Sequence, residues 1–154
     1  MGQTGQLATA ATAAGRLVLE ALESEHPVRS LSRLSDSPRA IRLLRELFIV
    51  TARRAFVGRD PRAVTRYVDD LLASQSLPTG GEAARQAEAL IRSATGEPEL
   101  AHGISDVRRF ELICYVVGDL ARSGADAVVL IDQAEKRVAR FDRPRNRTIG
   151  RRSV

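Results

Sequence analysis

Val128-Val129-Leu130-Ile131-Asp132 can be read in two ways. As an extended run it is a buried strand that ends on an acidic residue, as in nucleotide-binding α/β folds. Continued as a helix, it sets Val128, Ile131, Ala134 and Val138 on one side. A parallel sheet needs further strands, and the chain offers no second run of this kind. No Gly-rich phosphate loop follows any apolar run either. The helical reading prevails, and it makes the expected fold all-α.

Helix starts elsewhere in the chain support this. Ser37-Pro38-Arg39-Ala40-Ile41 and Asp60-Pro61-Arg62-Ala63-Val64 each place a capping oxygen before a proline. Ser and Asp side chains accept from unpaired amides of the first turn. Proline at the next position has no amide to strand and a φ already set for a helix. The residues that follow diverge, so these are two helix starts and not a duplicated unit. Thr79-Gly80-Gly81-Glu82 has the spacing of a capping box. Gly58, Gly96 and Gly124 stand where helix C-termini are expected. Together these signals predict helices near 7–25, 38–57, 61–75, 80–95, 106–123 and 127–141, with a short turn around 98–102.

Apolar periodicity matches these segments. Val64, Tyr67, Val68, Leu71 and Leu72 share one helical face, and so do Ala83, Ala87, Leu90, Ile91 and Ala94. The segments 38–57 and 106–123 carry wider apolar arcs, enough to face two neighbours each. They are expected at the centre, with Leu44, Phe48, Phe110 and Val117 nearly fully buried. A chain of 154 residues, 44% of them apolar and 4% aromatic, fits one domain with an aliphatic core. The expected architecture is a bundle of about six helices over 1–141, followed by a flexible basic arm over 142–154.

Cysteine and hydropathy narrow the function classes. The single cysteine, Cys114, excludes an intramolecular disulfide and a cysteine-based zinc cluster, and its apolar neighbours predict a buried thiol. No apolar run approaches the ~20 residues that span a bilayer, and Arg16 interrupts any secretory signal. The expected compartment is the cytoplasm, with no membrane association.

Charge is distributed in blocks. Residues 1–28 carry net −2, 29–68 net +7, 69–135 net −7 and 136–154 net +7. The two middle blocks are expected to neutralise each other where their helices pack. The last block contains Arg140, Arg143, Arg145, Arg147, Arg151 and Arg152, the candidate nucleic-acid contacts, whose guanidinium groups suit phosphate. No aromatic platform interleaves these arginines, which argues against single-strand stacking.

Both histidines occur as Glu-x-x-His: Glu23 with His26, and Glu99 with His102. Paired motifs of this spacing build carboxylate-bridged metal sites in helical bundles. Here His26 precedes Pro27 and Glu99 follows Pro98, so the ligands fall at helix ends and not in helix middles. No nucleophile-elbow serine or triad pattern is present. The leading expectation is a nonenzymatic protein–protein interaction module, an adaptor or assembly subunit, bound to another protein or to itself and needing no cofactor. The alternative is a nucleic-acid-binding accessory protein using the basic arm and the 29–66 arginines. A Glu-x-x-His metal protein is a distant third.

Overall fold

The structure, a computed structural model, describes residues 10–122 and 124–143. Its regular elements are helical: α1 (Ala13–Glu23), α2 (Pro27–Ser32), α3 (Pro38–Phe56), α4 (Pro61–Ser74), α5 (Glu82–Ala94), α6 (Asp106–Leu120) and α7 (Gly124–Asp142). Single 3-10 turns cover Arg33–Asp36 and Pro98–Ala101. Val128–Asp132 lies within α7, so the fold is all-α. None of the described helices is long and apolar enough to cross a membrane.

The helix starts read from the sequence hold at two of three positions. Ser37 Oγ accepts from the Ala40 amide at 3.3 Å, and Asp60 Oδ1 accepts from the Arg62 amide at 2.8 Å, each with proline at the start of the helix. Thr79 does not cap. Gly80 takes a left-handed φ of 73°, which breaks the chain before α5, so Gly81 becomes the capping residue and makes no side-chain bond. Gly58 and Gly96 do follow α3 and α5 with positive φ, where a Cβ would be strained. Gly124 is different: α6 ends at Leu120, and Gly124 opens α7.

The helix expected near 7–25 is α1, and a second, unexpected helix, α2, follows it before α3. Pro27 restricts His26 to φ −125° and ψ 79°, which stops helical geometry at that residue. Pro27 then starts α2 in the same way that Pro38 and Pro61 start theirs, although His26 supplies no capping bond. The chain also turns at Ser24, whose Oγ donates to the Ala21 carbonyl at 2.7 Å. In this way the short α2 gains its own direction.

α3 occupies the middle of the bundle and packs against α1, α5, α6 and α7. Leu44, Leu47 and Ala52 are fully buried on it, and Thr51 sits among them because its hydroxyl donates to the Phe48 carbonyl at 3.0 Å. α6 is the second interior helix and packs against α2, α3 and α4. Val117 is fully buried as expected, but Phe110 is only half-buried, because its face of α6 turns toward a groove. At the end of α3, Phe56 meets Tyr67 of α4 with ring centroids 5.0 Å apart.

α3 and α7 run antiparallel along a seam with three ion pairs. Arg54 lies 3.7 Å from Asp126, Arg137 Nε donates to Glu46 at 2.7 Å, and Arg42 meets Asp142. The Glu46–Arg137 pair is the most shielded of the three. Among the described residues, Arg54–Asp126 is the one ion pair that joins the two middle charge blocks. The mutual neutralisation expected of those blocks is therefore slight. α7 also holds the start of α1: Glu135 Oε2 accepts from the Thr12 amide at 2.9 Å. A Cβ on Gly15 would come within 2.7 Å of Glu135 Oε1, so a glycine there lets the carboxylate reach the helix end.

The core and the caps separate experimentally. Leu44→Ala should cost about 2–5 kcal/mol through lost transfer energy and a cavity, and Asp60→Ala about 1 kcal/mol. Thr79→Ala, at an exposed residue outside the helix, should stay within about 0.5 kcal/mol. Urea denaturation of the three variants checks the order. An effect of Thr79→Ala equal to that of Asp60→Ala would contradict the observed start of α5.

Candidate functional site

The outer face of α6 forms the floor of a groove. Val107, Phe110, Cys114, Tyr115 and Gly118 recur at helical spacing along it, with Glu111 and Asp119 on the same face. α2 and the adjoining 3-10 turn make one wall through Val28, Arg29, Ser32 and Ser35, and Ser74 and Gln75 at the end of α4 stand on the other side. Glu25, His26 and Arg122 close the rims. The cleft encloses about 1050 Å³. From Val107 to Asp119 the floor runs about 18 Å, at 1.5 Å per residue.

Gly118 positions the α2 wall. A Cβ built on it would lie 2.9 Å from Val28 Cγ2 and 3.4 Å from the Val28 backbone nitrogen. α2 can approach α6 this closely only where α6 has no side chain. The wall is braced at its start by the Ser30 hydroxyl, which donates to Ser24 Oγ at 2.7 Å. Opposite, Tyr67 of α4 donates its hydroxyl to Asp119 Oδ2 at 2.8 Å, so one rim carboxylate is fixed in place.

The groove exposes apolar surface that the bundle does not use. Val107 is 80% exposed, and Phe110 and Tyr115 are half-buried. Cys114 at the floor is 1% exposed. Burial pushes its thiol up to about 12, with Glu111 adding to the shift. Burial also raises the Tyr67 phenol well above its ordinary value, reinforced by the hydrogen bond to Asp119 and by that residue's charge. Tyr115 shifts the same way, from burial first and Glu111 second. Cys114 and Tyr115 are neutral at neutral pH, so the charge of the groove comes from Glu111 and Asp119 along the edges of the floor and from the rims.

The residues singled out in the sequence fall in three places. His26 is exposed on the groove rim, with Glu23 at the end of α1 just before it. Glu99 and His102 are exposed on and beside the 3-10 turn that packs against α5. Among the described residues, no group of three or more His, Cys, Asp or Glu side chains is placed to hold a metal ion. Arg140 and Arg143 are exposed at the end of α7. Arg145, Arg147, Arg151 and Arg152 lie outside the described residues. The groove residues themselves escape a sequence reading, save for one signal: a glycine, Gly118, within the last turn of an apolar helix costs up to about 1 kcal/mol relative to alanine, which marks a close approach. No protein-family model, curated protein or solved structure matches the chain.

Gly118→Ala sets two effects against each other. Alanine gains about 1 kcal/mol of helix propensity, while overpacking against Val28 costs about 1–3 kcal/mol. A net loss of stability is expected, and Val28→Ala in the same chain should recover part of it by removing the methyl in the way. A rise in melting temperature for Gly118→Ala alone would contradict the tight α2–α6 contact.

The buried thiol makes a separate prediction about pH. An unfolded Cys114 releases its proton near its ordinary value of 9.0, whereas the folded one keeps it up to about 12. Unfolding therefore releases a proton between these limits, and stability falls as pH rises through that window. Tyr67, ordinarily ionising at 10.0, adds to the fall in its upper part. Denaturation midpoints at pH 8 to 11 should decline, and less steeply for Cys114→Ala. An identical slope in both would place the thiol in contact with water.

Proposed function

We propose that this chain is a nonenzymatic helical interaction module of the cytoplasm, and that the groove between α2 and α6 takes an amphipathic helix from a partner protein. The observation that carries this is the unused apolar floor: Val107 at 80% exposure beside the half-buried Phe110 and Tyr115. A floor of about 18 Å matches about three helical turns, and helix-in-groove recognition uses apolar anchors at helical spacing. Rims bearing Glu25, Glu111 and Asp119 on one hand and Arg29 and Arg122 on the other favour a partner helix with both charges flanking its apolar stripe. The groove's one thiol is protonated and shielded, which supports binding over covalent catalysis.

A photo-crosslinking side chain placed at Val107 tests this in cells. It should give a discrete adduct that Phe110→Glu abolishes, and mass spectrometry of the adduct tells a foreign protein from a second copy. The same group at Val57, which is 63% exposed away from the groove, is the control. Equal labelling from the two positions would remove the groove from consideration as a docking site.

A further inference from the structure

The α3–α7 seam decides where the positive charge of the chain collects. α3 is 19 residues long, about 28 Å from end to end. It divides the basic 29–68 block, with Arg39, Arg42 and Arg45 on its first turns and Arg59, Arg62 and Arg66 beyond its far end. Because Glu46 meets Arg137 and Arg42 meets Asp142, the last turns of α7 lie along the first turns of α3. Arg140 and Arg143 are thereby brought to the corner that holds Arg39 and Arg42.

The acids at this corner are few. Glu46 and Asp142 are engaged by Arg137 and Arg42, and Asp36 precedes α3. Arg39, Arg45, Arg140 and Arg143 are exposed and, among the described residues, make no ion pair. From Arg143 the sequence continues with four further arginines and no acid through residue 154. Between Arg140 and Arg143 stands Phe141, 67% exposed, an aromatic ring left in solvent beside guanidinium groups. The sequence argues against base stacking because the arginines carry no aromatic platform, but the structure leaves the single Phe141 ring in solvent between Arg140 and Arg143.

We infer that this corner binds single-stranded nucleic acid, with the arginines on phosphates and Phe141 stacking on an unpaired base. Guanidinium groups contact phosphate without regard to sequence, and each contact releases a counterion. An exposed ring beside them offers a face to any base, which a duplex does not present. This site is at the end of the α3–α7 seam and is independent of the α2–α6 groove.

Fluorescence anisotropy of a labelled mixed-sequence 12-mer, as single-stranded RNA, single-stranded DNA and DNA duplex, tests it with the full chain over a salt series. The single strands should bind more tightly than the duplex. Arg39→Ala, Arg45→Ala and Arg140→Ala together should reduce the log–log salt slope by up to about 2, at about 0.7 per lost single-strand contact. Phe141→Ala should weaken single-strand binding about 5- to 150-fold, the range of one stacked base, and leave the slope unchanged. Arg59→Ala, Arg62→Ala and Arg66→Ala at the far end of α3 should leave both quantities as they are. All of these side chains are on the surface, so far-UV spectra should match the parent. The inference is overturned by absence of single-strand binding at 50 mM salt, or by equal slopes in the two triple variants. It is equally overturned if Phe141→Ala has no effect, or if polyglutamate displaces the strand at matched charge, which would assign the corner to an acidic polypeptide.

Discussion

α3 carries apolar side chains around so much of its circumference that two neighbouring helices could not cover them. Leu43 and Leu47, Leu44 and Thr51, and Phe48 and Ala52 point in successively different directions, and all are buried. α1, α5, α6 and α7 supply the cover. Once α6 has one face committed to α3, its opposite face is left for α2, which is only six residues long, and for α4, which touches α6 only at its edge, so the two do not close over it. The groove is a consequence of that shortfall. Its floor is made of side chains that belong to an interior helix and reach the surface only where cover runs out.

How much of this is legible in the sequence depends on the range of the interaction. Caps are local, so Ser37 and Asp60 announce α3 and α4 within three residues of the bond they make. Apolar periodicity is nearly as local, which is why the helical state of Val128–Asp132 follows from the chain alone. α2 is missed because its start uses His26, which offers no capping acceptor bond, and because six residues are too few to show a period. Thr79 misleads for the opposite reason: the spacing of a capping box is present, but Gly80 takes a backbone conformation that rejects it. The burial of Phe110 is likewise undecidable from periodicity, since the wheel shows an apolar arc without showing which part of it acquires a neighbour.

Charge follows the same rule. The alternating blocks are plain in the sequence, yet block totals say nothing of pairing. Register does: α7 runs antiparallel to α3, so Asp126, Arg137 and Asp142 meet Arg54, Glu46 and Arg42 in turn. Such half-exposed pairs contribute about 0–1 kcal/mol each. Their effect is to fix how the two helices slide, and through that to set which arginines share a corner. Other arginines serve as caps, as where Arg53 donates to the Ala94 carbonyl at the end of α5 at 2.9 Å and Arg109 to the Ala101 carbonyl at 3.0 Å. The arginines of this chain are therefore divided between structure and surface in a way that composition conceals.

α3, with α6 beside it, is the centre on which the other helices pack, and α2 is an attached wall. Native-state hydrogen exchange measures this directly, because amides open either locally or only with the whole fold. Amides in the middles of α3 and α6 should exchange at the free energy of global unfolding, and those of α2 at a distinctly lower one. Exchange of the α3 amides through a partial opening that leaves α2 protected would contradict the account.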